Sequence, residues 1–151
     1  MIYIAIAAGI FLLEFFLKNY IEREKEEKKE EKIWGGMLVL QKYHNRGAFL
    51  NAGEKKSAVV ALLSCLLTAG ITVIFIMTLG QKGKPLLKAG LALLLGGAFS
   101  NTYDRLKRKY VVDYFSFSCK WKKLNRIVFN IADFCIMIGA LMCALGWENI
   151  C

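Results

Sequence analysis

The chain has three aspartates, Asp104, Asp113 and Asp133, and takes most of its remaining acid from glutamates between positions 22 and 31. Asp133 opens an apolar run in Phe129-Asn130-Ile131-Ala132-Asp133 and is followed by little but apolar residues as far as Trp147. A carboxylate in such a run is costly to keep away from water unless it faces a polar cavity or a partner, so Asp133 is a functional candidate. Asp113 lies in Val111-Val112-Asp113-Tyr114-Phe115-Ser116-Phe117-Ser118. In an extended chain Val111, Asp113, Phe115 and Phe117 share one face, which aims Asp113 into the protein. Two carboxylates in one low-dielectric site cannot both ionise easily; one keeps a proton while the other acts as a base. Such a pair can draw a proton from water, direct that water at a carbonyl carbon and stabilise the tetrahedral oxyanion.

Amide and basic side chains accompany these acids. Asn130 stands three residues before Asp133, where its amide can bond Asp133 or a substrate backbone, or where it can cap a helix. In Gly96-Gly97-Ala98-Phe99-Ser100-Asn101-Thr102-Tyr103-Asp104-Arg105 the glycines permit close helix approach, and Asn101, Asp104 and Arg105 share a helical face. Asp104 and Arg105 are expected to form a structural ion pair or to brace a substrate. The bland reading of any single aspartate is a carboxylate neutralised by a neighbouring Arg or Lys.

The elements that must position these groups are membrane elements. Hydrophobic residues make up 56% of the 151, too apolar for an ordinary soluble domain and enough chain for one domain. Four apolar runs approach the roughly 20 residues that cross a bilayer core: 1–17, 57–79, 86–102 and 127–147. The first lacks a basic leader and a small-residue cleavage site and is read as a retained span. Between the first two runs a charged segment, 22–32, reads as a solvated helix with i,i+4 pairs or as a disordered tether. Gly35-Gly36 breaks any helix, and Met37 to Tyr43 is short and apolar enough for a strand. Gly80 to Pro85 forms a tight turn that makes the second and third runs antiparallel neighbours.

Several function classes fall away. The formal charge of +9 could suggest nucleic acid, but Lys and Arg gather in two stretches between apolar runs, a distribution suited to lipid head groups. Nucleic-acid binding is therefore not expected. The cysteines, Cys65, Cys119, Cys135, Cys143 and Cys151, show no CxxC spacing and imply neither zinc nor a disulfide framework. With His44 as the single histidine, a His-rich metal site or a Ser/His relay is hard to build; His44 reads as a polar surface residue. A glycine-rich stretch, 90–97, has no Gly-Lys-Ser/Thr after it and is not a phosphate loop.

In order along the chain, Asn45-Arg46-Gly47-Ala48, the Gly96 to Arg105 block, Val111-Val112-Asp113-Tyr114 and Phe129-Asn130-Ile131-Ala132-Asp133 resemble the motifs of the lipoprotein signal peptidase (signal peptidase II) family: Asn-x-Gly-Ala, Gly-Gly-x-x-Gly-Asn-x-x-Asp-Arg, Val-Val-Asp-Phe and Phe-Asn-x-Ala-Asp. Each block is short, but their joint order covers nearly the whole chain. The resemblance implies a mainly α integral membrane protein, four transmembrane helices with a small extracytoplasmic β-structure, in a single domain over 1–151. It implies an aspartic endopeptidase with Asp113 and Asp133 as the catalytic pair. Asn45, Gly47, Asn101, Asp104, Arg105 and Asn130 would place substrate, and Glu14, Lys18 and Ala132 would be structural. The implied substrate is a prolipoprotein cut before its diacylglyceryl-modified cysteine in the bacterial cytoplasmic (inner) membrane. Membrane lipids would be the surroundings, globomycin an inhibitor and a monomer the working unit, with no metal or organic cofactor.

Departures from the family pattern are confined to a few positions. Its Asp-Gln-x-x-Lys in the first span is Glu14-Phe15-Phe16-Leu17-Lys18 here, its Gly before the span-three Asn is Ser100, and Phe49, Leu50 and Asn51 follow Ala48 where a small residue, Phe and Ser are usual. Orientation is contested. The resemblance puts the termini in the cytoplasm and the active site near the outer face, whereas the two large loops hold all Lys and Arg except Lys82, Lys84 and Lys88, which the positive-inside rule assigns to the cytoplasm. The motif match is preferred, since the first loop also carries seven glutamates. Two other functions stay open: a non-catalytic lipoprotein-binding relative, and a small four-span transporter using Glu14 and Asp133. For lipid-modified substrate, an opening between spans three and four is expected.

Overall fold

The computed structural model describes residues 1–27, 29–48, 52–118, 125 and 127–148, with Trp147 and Glu148 described by their backbone alone. Phe49, Leu50, Asn51, Cys119 and Cys151 from the sequence analysis lie outside the described residues. Four helices carry the fold: α1 (Ile2–Glu24), α2 (Ser57–Leu79), α3 (Pro85–Lys107) and α4 (Ile131–Glu148). Each contains one of the four expected apolar runs or most of it. Two of them, α1 and α2, are long and apolar enough by length and composition to cross a membrane; α4 has a shorter apolar stretch, Ile131–Gly146. At a rise of about 1.5 Å per residue, the 23-residue α3 also has the necessary length.

α3 is the central helix, packed against α1, α2 and most extensively α4. Small residues permit this closeness. A methyl group placed on Gly97 would sit 2.5 Å from the Ala132 carbonyl oxygen, and one on Gly96 would sit 2.8 Å from the Ala7 carbonyl oxygen. Backbones that touch at these points gain dispersion contacts that no larger residue would allow. Ala7, Phe75, Leu87, Leu91, Ala92 and Leu95 form the core among α1, α2 and α3. By contrast Leu62, Leu63, Leu66, Leu67, Ile76 and Met77 of α2 are exposed, an apolar outer band that suits acyl chains better than water.

Three antiparallel strands sit at one end of the bundle in the order β1 (Glu31–Ile33), β2 (Leu38–Asn45), β3 (Val111–Phe117). A register shift between Leu40 and Tyr43 lets Tyr43 face Asp113 and Asn45 face Val111, the one-residue offset of a bulge. The strand expected at Met37 to Tyr43 thus runs on to Asn45, which proves to be a site position. β3 is buried on both faces from Val111 to Tyr114, so the single inward face expected from alternation understates its burial. Ile21 of α1, Val112 and Tyr114 make a second core beneath the sheet.

The described residues of the charged segment 22–32, all but Lys28, do not form the continuous solvated helix expected, and its end is tied into the sheet. Helix α1 ends at Glu24, Lys25 turns extended, and Glu31 to Ile33 join the sheet. His44 is half-buried, unlike the surface residue expected: its ring stacks on Tyr110 at 4.0 Å, and its nitrogens lie 3.0 Å from Glu22 and 3.0 Å from Glu27. The turn before α3 behaves as expected, with Pro85 at the first helical position, where its missing N–H costs nothing.

Candidate active site

The fourth helix begins at a reciprocal cap that also builds the site. Asn130 Oδ1 accepts the backbone N–H of Asp133 at 3.0 Å, and Asp133 Oδ2 accepts the backbone N–H of Asn130 at 3.1 Å. This is the geometry of a capping box, in which two otherwise orphaned amides at a helix start are satisfied together. Asn130 therefore does both things weighed for it. Its oxygen caps α4, and its amide nitrogen donates to Asp113 Oδ1 at 2.6 Å. One side chain thus ties the last turn before α4 to β3 and fixes the two aspartates against each other.

The other oxygens are held from separate elements. Asn101 of α3 donates to Asp133 Oδ1 at 2.9 Å, and Asn45 at the end of β2 donates to Asp113 Oδ2 at 3.1 Å. Asn45 is itself oriented by the Gly47 N–H, which donates to its Oδ1 at 3.1 Å, and Arg105 donates to the Gly47 carbonyl at 3.1 Å. Each aspartate therefore receives two N–H donors. Burial, with the charge of Asp133 added, pushes the Asp113 carboxyl up to about 7 although Asn45 and Asn130 pull it down. Among the described residues no group of three or more His, Cys, Asp or Glu is arranged to hold a metal.

Behind the pair lies a buried cation. Lys18 is 1% exposed, and its ammonium donates to Ser100 Oγ and Asn101 Oδ1, each at 2.9 Å. It also faces Glu14 Oε2 at 3.3 Å and Asp104 Oδ2 at 3.2 Å. Because Lys18 takes the Asn101 oxygen, the amide nitrogen of Asn101 is left pointing at Asp133. Asp104 completes its bonding with Arg108 Nε at 3.0 Å and the Val112 N–H at 3.2 Å. The expected Asp104–Arg105 ion pair is thus not formed: as consecutive residues on the helix they diverge, Asp104 inward to Lys18 and Arg108, Arg105 toward Gly47. Ser100, a departure from the family pattern, supplies Lys18 with an acceptor.

A cavity of about 420 Å³ opens on the pair. Asn45, Asn101, Arg105, Asp113 and Asp133 line its polar end, and Leu67, Ile71, Leu94, Ala98, Ile136 and Met137 its apolar walls. These walls come from α2, α3 and α4, with α3 as the floor. The opening expected between the third and fourth spans is therefore corrected: α3 and α4 are sealed by the Gly97–Ala132 contact, and the cleft lies between α2 and α4. Asp104, Gly47 and Asn130 do not line the cavity. Ala132 is fully buried in the α3–α4 contact. Sequence reasoning passed over Tyr114, whose hydroxyl donates to Glu14 Oε1 at 2.6 Å; the one polar group in the Val111 to Phe115 stretch besides Asp113 was the available signal.

The sequence pattern of the family described as "Signal peptidase (SPase) II" matches residues 6–147. The chain belongs to that family. Proteins named lipoprotein signal peptidase from Clostridium acetobutylicum and Lactobacillus johnsonii are 30% and 32% identical to it, over 94% and 93% of this chain and 90% and 88% of theirs. Two solved structures, both bacterial membrane enzymes obtained by the in meso method, share its fold with TM-scores of 0.82 and 0.76 at 19% and 18% identity. They cover 97% and 96% of this chain, and it covers 87% and 91% of theirs. As a member of the signal peptidase II family with a membrane-enzyme fold, it is a membrane peptidase.

Proposed function

We propose that this signal peptidase II family member is an aspartic endopeptidase that removes the signal peptide of a prolipoprotein before its diacylglyceryl-modified cysteine. The observation that carries the reading is Asn130, which bonds both Asp113 and Asp133 at the polar end of a cavity with apolar walls. Asp113 is the member that holds the proton, since burial and its neighbour's charge favour its neutral form. Asp133 stands in the first turn of α4, where the helix N-terminus favours negative charge, and acts as the base. It takes a proton from water as the water oxygen adds to the scissile carbonyl carbon. Asp113 gives its proton to the developing oxyanion; collapse of the tetrahedral intermediate breaks the C–N bond, and a proton passes to the leaving amine.

The remaining residues place the reactants. Arg105 and Asn45 stand at the polar rim, where a peptide backbone can be held, and the α2–α4 cleft admits a lipid-bearing chain from the bilayer side. Asp104, Glu14 and Lys18 brace the pair from behind. The four helices span the membrane in a single domain over 1–151, with the sheet and the pair near the outer face of the bacterial cytoplasmic membrane. The exposed apolar band of α2 and the common direction of the sheet and the site support that placement. The family relation supports a monomeric enzyme surrounded by lipid and inhibited by globomycin.

The test is cleavage of a diacylglyceryl prolipoprotein by the purified protein in detergent, with and without globomycin. Asp113→Asn and Asp133→Asn are each expected to lower turnover by about a thousandfold while substrate binding persists. Undiminished cleavage by either variant removes the aspartic mechanism. Substrate binding without cleavage by the unaltered protein would instead identify a non-catalytic relative.

A further inference from the structure

The α4 start has a second anchor that the pair's own hydrogen bonds do not explain. Four backbone N–H groups at a helix N-terminus lack partners within the helix. Asn130 satisfies that of Asp133. The N–H of Ile131, the first residue of α4, donates instead to the hydroxyl oxygen of Tyr114 at 3.0 Å. The Tyr114 hydroxyl then donates its own proton to Glu14 Oε1 at 2.6 Å. Glu14 is fully buried, and its other oxygen faces Lys18.

From this geometry we infer that Glu14 and Tyr114 are positioning residues for the reaction, forming a brace from α1 through β3 to the first amide of α4 that holds Asp133 at its working distance from Asp113. The inference rests on the aspartic reading of the pair. Two chains of contacts leave the Glu14–Lys18 ion pair and converge on Asp133. One runs from Lys18 through Asn101 to Asp133 Oδ1. The other runs from Glu14 through Tyr114 to Ile131, two residues from Asp133. With both in place, Asp133 is fixed by its side chain and by the backbone that carries it.

The two residues fit each other in length and in protonation. Glu14 and Tyr114 stand where the family pattern has Asp and Phe, so the longer carboxylate and the added hydroxyl occur together and meet at 2.6 Å. Burial, and after it the Glu14 carboxylate, raises the Tyr114 hydroxyl above its ordinary value; the phenol keeps the proton it donates. A shorter acid at position 14 withdraws from the hydroxyl, and a phenylalanine at 114 leaves both Glu14 Oε1 and the Ile131 N–H without this partner.

The experiment is a double-mutant cycle on the full-length protein in detergent, with Glu14→Asp, Tyr114→Phe and the two combined, and Tyr110→Phe as control. Tyr110 also donates to a carboxylate, Glu22 Oε1 at 2.9 Å, but among the described residues makes no bond to α4. Thermal unfolding and prolipoprotein cleavage are measured for each, with rates expressed per folded molecule. The brace predicts a fall in kcat of about tenfold in each single variant, KM within about twofold of the parent, a displaced pH–rate profile, and a double variant no slower than the slower single. Tyr110→Phe keeps the parental kcat and profile. Losses that multiply in the double variant, or a Tyr114→Phe enzyme that is only less heat-stable with kcat and profile unchanged, overturn the brace. Should Asp113→Asn and Asp133→Asn cleave normally, the aspartic reading fails first, and that outcome is distinct from an unaltered Tyr114→Phe rate beside inactive aspartate variants.

Discussion

Lys18 shows how much one buried charge can organise. Its ammonium meets Glu14, Ser100, Asn101 and Asp104 in a site that excludes water. Removing it strands two buried carboxylates, and Lys18→Met is expected to cost about 3–5 kcal/mol of stability, read as a lower unfolding temperature in detergent. Asn101 is then free to turn its amide, so cleavage by the folded fraction should fall as well. The same structure gives Asp104 no access to the cavity, since Lys18, Arg108 and the Val112 amide occupy both of its oxygens. Sequence spacing put Asp104 and Arg105 on one face but could not say that adjacent side chains point to different partners. The identity of the two candidate aspartates, in contrast, was legible because acid is scarce in apolar runs.

At the scale of elements, the α3–α4 contact sets the pair's geometry. Asn101 rides on α3 and Asp133 on α4, and these helices touch where Gly97 meets Ala132. Gly97→Leu has no room at that point; overpacking of this kind costs about 1–3 kcal/mol, and the added bulk should push Asp133 away from Asn101. The expected result is a lower kcat at nearly unchanged expression, measured by prolipoprotein cleavage. Gly97→Ala should show the smaller loss of the same sign. The close approach at Gly96 and Gly97 could be anticipated from residue size. Which of the neighbouring helices each glycine would meet could not, because small-residue spacing carries no information about the partner.

For the whole molecule, the burial that favours a neutral Asp113 also makes folding pH-dependent. Its carboxyl is raised to about 7 in the folded state, against about 3.9 in an unfolded chain. Between these values the folded protein holds a proton that the unfolded chain has released, so this group's contribution to stability falls as pH rises from about 4 to about 7 and is level beyond. Asp113→Asn should remove that slope, which unfolding in detergent across this range would detect. On the proposed aspartic mechanism, cleavage should decline above about pH 7, as Asp113 loses the proton that it would donate. The α2–α4 cleft belongs to this scale too: it exists because α3 lies between the other helices and packs more extensively on α4 than on α2.

The sequence by itself determined the membrane character, the existence and approximate extent of four helices and the strand after Gly35-Gly36, and it singled out the two aspartates as candidates. All of these follow from local pattern: apolar run length, breakers, alternation and the rarity of acid in apolar segments. Tertiary structure alone decided that α3 is central, that the cleft lies between α2 and α4, that Asn130 joins Asp113 to Asp133, and that Tyr114 links Glu14 to the start of α4. Those facts depend on contacts between residues such as Glu14 and Tyr114, separated by 100 positions. Such pairings are fixed by how helices pack and strands register, which no local period or spacing encodes.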